Sequence, residues 1–138
     1  MNAILRAVPL LLLPALLYAA VALTMPVDAV RASLAQPLYL DYLPSGALFE
    51  VSRGYGFIVF AAAMLFIEVV KSTRAGASSL AESVLAFLCF SVALGLFLLH
   101  ASFGTAEWAM LTLMMLLDFM SGVVVMAMVA RRDTHVTA

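Results

Sequence analysis

Cysteine occurs once in this chain, as Cys89 inside an apolar run. No intrachain disulfide framework or cysteine-based metal quartet is therefore available, and a small buried thiol is the expectation for Cys89. Charge is scarce as well: 11% of the 138 residues are charged, where a soluble domain carries roughly 25%. Seven basic residues against eight acidic ones leave a net charge of -1, so no basic field points to nucleic acid. There are two histidines, His100 and His135. The topology argued below places them on opposite sides of a membrane, which excludes haem held by two histidines of one chain. An interfacial histidine is the expectation for His100, and no cofactor is expected.

What the chain has in abundance is apolar surface. Hydrophobic residues make up 66% of it, with a mean hydropathy of +1.15. A domain of this length has too little polar surface to hide that content from water, whereas a bilayer takes the role of the core. The length suits one domain.

A spanning helix needs about 20 apolar residues, and four segments qualify: about 7–25, 55–70, 80–100 and 108–130. The first also resembles a signal peptide, with Arg6, an apolar run and the small residues Ala20-Val21-Ala22. It is expected to stay as an uncleaved span, kinked at Pro14. The second is short and is expected either to extend through Gly54 or to carry its polar ends by snorkelling. Basic residues in the short loops set orientation. Arg6, Lys71, Arg74, Arg131 and Arg132 fall on one side, Arg31 and Arg53 on the other. The five-residue side is expected in the cytoplasm, with both termini, and 131–138 as a cytoplasmic tail. Trp108 and Tyr55 stand where outer aromatic anchors belong. The expected fold is thus an all-α membrane protein, a four-transmembrane-helix bundle.

The outer segment 26–53 is expected to be a periplasmic loop containing a short β-hairpin. Pro37-Leu-Tyr-Leu-Asp-Tyr-Leu43 and Ala47-Leu-Phe-Glu-Val-Ser52 flank a Pro44-Ser-Gly46 turn. Its apolar residues, with Leu40, Tyr42 and Phe49 chosen, form an expected surface for a periplasmic partner. In the inner loop 71–79, Ser79 and Glu82 fit a capping box that opens the third span. Thr105 and Glu107 suit the start of the fourth.

An ionisable residue at bilayer depth is a functional hypothesis by default. Asp118 lies near the middle of the fourth span. Ser121 and Gly122 share its helix face, and with Gly95 they are candidate sites of close helix packing. Counting depth along each span puts Asp118, Ser91 and Tyr18 at similar heights, where they would form one polar network. It locks helices together, handles protons or ions, or lets Asp118 form a charge pair with another subunit. Glu68 and Lys71, three residues apart, are expected to pair at the cytoplasmic end of the second span. The methionines crowding the fourth span suit irregular packing better than ordered copper ligation.

Leu43-Pro-Ser-Gly-Ala47, Glu68-Val-Val-Lys-Ser-Thr-Arg-Ala-Gly76 and Leu117-Asp-Phe-Met-Ser-Gly122 together resemble a group of small, uncharacterised four-helix inner-membrane proteins of proteobacteria. The resemblance implies a bacterial inner-membrane address and no activity. From the residues themselves three functional classes follow. The first is a non-catalytic interaction protein, an accessory, scaffolding or assembly subunit of a larger membrane complex or a self-assembling oligomer. Its partners would be the lipid bilayer and other membrane subunits or its own copies. The second is a small oligomeric transporter or channel that uses Asp118. The third, an enzyme, has the least support, because no nucleophile–base pair or metal cluster falls in one plane.

Overall fold

A computed structural model describes residues 8–74 and 80–136. The chain is mostly helical, with a small two-stranded sheet. The elements are α1 (Leu12–Thr24), α2 (Val27–Ala35), β1 (Pro37–Tyr42), β2 (Leu48–Ser52), α3 (Arg53–Arg74), α4 (Leu80–Leu99), a 3-10 turn (Ala101–Phe103) and α5 (Ala106–Val136). Three helices are long and apolar enough to cross a bilayer, over Arg53–Lys71, Ala81–Leu99 and Ala106–Met128. The second expected span does extend through Gly54, and the last runs on beyond its expected end: the tail from Arg131 continues α5 as far as Val136.

The first span differs from expectation. Its helix has 13 residues, which rise about 20 Å against a hydrocarbon thickness of about 30 Å. Pro14 was expected inside the helix but stands near its start. Pro14 is the third residue of α1 and falls in the first turn, where a missing N–H breaks no intrahelical bond. The helix is entered through tight turn bonds from the Leu12 and Leu13 amides to the carbonyls of Pro9 and Leu10, each 3.0 Å.

Segment 26–53 is more ordered than a loop with a hairpin. Helix α2 was not expected there. Pro26 precedes it, Asp28 sits in its first turn, and Val27, Val30 and Leu34 form one apolar face. Val30 is fully buried and Leu34 packs on the core. The hairpin follows as expected, antiparallel, with Leu40 opposite Glu50, Asp41 opposite Phe49 and Tyr42 opposite Leu48. Its turn explains this register. The Gly46 amide donates to the Leu43 carbonyl (2.8 Å), the Leu43 amide donates to the Ala47 carbonyl (2.9 Å), and Gly46 has φ +82°. Pro44 presets the second position of such a turn, and the left-handed position after it favours glycine.

Helix α5 is central, packing along both α3 and α4. The buried core gathers at one end of this row, around the short connection between α4 and α5. Phe103 and Trp108 are buried there, and the Tyr18 ring lies 5.0 Å from Trp108, 5.8 Å from Phe103 and 5.6 Å from Phe57. The Trp108 indole N–H donates to the Ala93 carbonyl at 2.9 Å. Trp108 is therefore a packing residue of the interior, a correction to its expected role as an outer anchor. Tyr55 is exposed, as an anchor would be.

Candidate functional site

Four features bear on function: a polar chain at the α4–α5 connection, a lateral groove, an acid–base cluster near the C-terminal end of α3, and the hairpin.

The polar chain starts at the N-terminus of α5. Thr105 Oγ1 accepts the Trp108 amide N–H at 3.3 Å, the capping role its position suggested. The Tyr18 hydroxyl stands 2.5 Å from the same Thr105 oxygen and donates to the Ser102 carbonyl at 3.3 Å. These contacts tie α1 to the α4–α5 connection. The expected network of Tyr18, Ser91 and Asp118 is not what forms. Ser91 donates to the Phe87 carbonyl one turn back on its own helix (2.8 Å). The depth count placed Tyr18 too low: α1 starts later than the apolar run does, and Tyr18 reaches the α4–α5 connection instead of the middle of α4 and α5. Thr105 was seen as a cap but missed as the partner of Tyr18. No sequence signal joins residues 87 positions apart.

The groove lies between α1 and α4, with α5 as its floor. It has a volume of about 260 Å³ and is almost wholly apolar. Ala15 and Ala19 line one wall, Cys89 and Ala93 the other, with Trp108 and Met115 beneath. Leu16, Leu88 and Val92 stand more than half exposed on its rim. Among the described residues α4 packs on α5 and on neither α1 nor α3 to any comparable extent, so the helices form an open row where a closed four-helix bundle was expected. Each wall carries small residues four apart on one helix, the spacing that lets another helix approach closely. Gly95 does not serve this purpose, since a Cβ added there would meet nothing within 4 Å. Ser121 donates to the Asp118 carbonyl at 2.7 Å, a local bond within α5.

Glu68 anchors the third feature. Its Oε1 accepts from Lys71 Nζ at 2.8 Å, the pairing their spacing suggests. Its Oε2 accepts the Leu10 backbone N–H at 2.7 Å. One carboxylate of α3 thus caps a free donor at the entry to α1, a contact invisible in the sequence because the donor is a backbone amide. Asp118 lies within electrostatic reach of both Glu68 and Lys71. Ser79 of the expected capping box lies outside the described residues, and Glu82 falls in the first turn of α4. His100 sits at the C-terminal end of α4, where its Nδ1 accepts the Ser102 amide at 3.4 Å and its ring meets Phe103 edge-on. Among the described residues no three His, Cys, Asp or Glu side chains converge to hold a metal.

On the hairpin, Leu40 and Tyr42 project from one face with Leu48 and Glu50, which they oppose. Phe49, opposite Asp41, projects from the other face with Tyr39. Leu40, Tyr42 and Phe49, expected on one partner surface, are therefore divided between two faces. All three remain exposed.

No family model matches this chain. Comparison with curated proteins and with solved structures likewise gives no match. Any functional reading therefore rests on the geometry above.

Proposed function

We propose that this chain is a non-catalytic membrane interaction protein, an accessory or assembly subunit of a larger membrane complex or a self-assembling oligomer. In this reading α1 is a fourth span, shortened by its late start, both termini are cytoplasmic, and the membrane is a bacterial inner membrane. The observation that supports it is the open helix row. Helix α4 has one main neighbour, and the apolar groove beside it is lined by Ala15, Ala19, Cys89 and Ala93. A helix from another subunit laid there would give α4 a second neighbour. Association of helices in lipid depends on such close packing, because lipid removes the hydrophobic drive between them.

The test is native mass spectrometry of the assembly released from its membrane in a mild amphiphile. Other polypeptides at fixed stoichiometry identify an accessory subunit, and integer multiples of 14.7 kDa identify a homo-oligomer. The substitution Val92→Trp, on the groove rim, is expected to dissociate either assembly while the chain still inserts. A wild-type chain that is released only as a monomer sinks the proposal.

A second reading, a small oligomeric transporter or channel, is favoured by Asp118 lying near the Glu68–Lys71 pair. Charged groups at such depth commonly mark ion or proton paths. It requires that Asp118→Asn abolish a measurable flux in vesicles while leaving the assembly mass unchanged.

A further inference from the structure

The hairpin exposes more large apolar surface than its position in water allows. Leu40, Tyr42 and Leu48 are 56%, 72% and 54% exposed on one face, and Tyr39 and Phe49 are 53% and 45% exposed on the other. A contiguous exposed apolar patch of this kind marks an interaction surface, and a two-stranded hairpin alone in water is marginal at best. Yet this hairpin is held firmly at its base. The Arg53 amide donates to the Gln36 carbonyl at 2.8 Å, and Ser52 Oγ accepts the Tyr55 amide at 3.2 Å. Leu38 lies so close to Gly56 that a Cβ there would stand 2.7 Å from its Cδ2.

These contacts fix where the hairpin is. Its second strand runs without a break into α3, whose apolar stretch begins at Arg53, so its base sits at the end of a membrane-spanning helix. The exposed apolar surface of α3, at Tyr55 and Val59, leads on to Leu38 and from there along β1. A protein partner pressed on one face would leave the aromatic residues of the other in water. Lipid meets both faces of a thin ribbon at once. The unpaired amides and carbonyls along both strand edges cannot enter hydrocarbon, and tyrosine favours the headgroup level. The polar groups suit a depth that is still hydrated: the Asp41 carboxylate is occupied by the Tyr39 hydroxyl (2.9 Å) and the Tyr42 amide (2.7 Å), and the exposed Glu50, opposite Leu40, keeps that face out of hydrocarbon.

We propose that the β1–β2 hairpin is a membrane-surface anchor, immersed in the lipid headgroup layer at the outer end of α3 with both faces in contact with lipid. The proposal rests on α3 spanning the membrane and is independent of any partner in the groove.

The test places a spin label at each face, through Tyr42→Cys and Phe49→Cys, in the full chain carrying Cys89→Ala. A Val59→Cys label on α3 serves as the reference for the spanning helix. The protein is reconstituted in vesicles of phosphatidylethanolamine and phosphatidylglycerol, and collisions with oxygen and with a neutral nickel chelate are measured. Both hairpin labels are expected to collide with the nickel chelate several-fold less than free label does, while staying open to oxygen. Nickel access equal to that of free label at either face would place the hairpin in water and overturn the proposal. Shielding of one face from both reagents would overturn it in favour of a protein contact. Free nickel access at Val59→Cys would overturn the spanning of α3, and this proposal with it.

Discussion

Tyr18→Phe and Tyr18→Ala together measure how α1 is held. The Phe variant removes one hydroxyl, which bridges Thr105 Oγ1 and the Ser102 carbonyl, and keeps the ring. Thr105 retains the Trp108 amide as a partner, so the cap of α5 stays while both bonds of the hydroxyl are lost. A hydrogen bond is worth about 1 kcal/mol in net terms, and between membrane helices about 0.6 kcal/mol on average. With two bonds lost, the expected cost is about 1–2 kcal/mol. The Ala variant also deletes a ring packed against Phe57, Phe103 and Trp108. Truncating a buried aromatic costs about 3–5 kcal/mol. The lower end, about 3 kcal/mol, is expected here, because separated helices in a bilayer still shelter the ring from water. Trp108 is the one tryptophan in the chain, so its fluorescence during unfolding from mild amphiphile into denaturing detergent reports on this contact. If Tyr18→Phe destabilises as much as Tyr18→Ala, the polar chain and not the ring holds α1. If Tyr18→Ala costs under about 1 kcal/mol, α1 does not dock on the aromatic cluster and the packing argument fails.

The same unfolding assay checks three further expectations. Gly95→Ala should stabilise α4 by about 0.5–1 kcal/mol, since the added methyl meets nothing; a loss of stability would restore Gly95 as a close-packing site. Glu68→Ala strands the Leu10 amide and the Lys71 ammonium and should cost about 1–3 kcal/mol, whereas Glu68→Gln keeps an acceptor for Leu10 and should cost less. Equal losses would show that charge, and not the capping of α1, is what matters. Gly46→Ala should cost about 1–2 kcal/mol through its left-handed backbone, and hydrogen exchange should quicken in the hairpin while α3, α4 and α5 stay protected. Faster exchange throughout would mean that the hairpin supports the helices.

Much of the hairpin was legible because it is local. Pro44-Ser-Gly46 dictates a turn with a left-handed third position, and that turn sets which residues oppose each other. The division of Leu40 and Tyr42 from Phe49 follows from the same register, and counting back from the Leu43–Ala47 closure would have shown it. Helix α2 was legible too, in Pro26, Asp28 and the Val27–Val30–Leu34 face, but the apolar content of the outer segment masked a weak amphipathic signal. The three long helices emerged from segment length alone, since a spanning helix satisfies its own backbone and needs no neighbour to exist.

The amino-acid sequence by itself determined the class of this protein: its hydropathy demands lipid, its runs set three helices, and its turn residues set one hairpin. Only tertiary structure decided what those pieces do to each other. Where α1 begins relative to α3 depends on the Leu10 amide finding Glu68, and that start carries Tyr18 to Thr105 instead of to Asp118. The central place of α5, the open side of α4 and the burial of Trp108 follow from how apolar helices pack. Hydropathy cannot rank those arrangements, because in a bilayer lipid and protein present nearly the same apolar surface to a leucine.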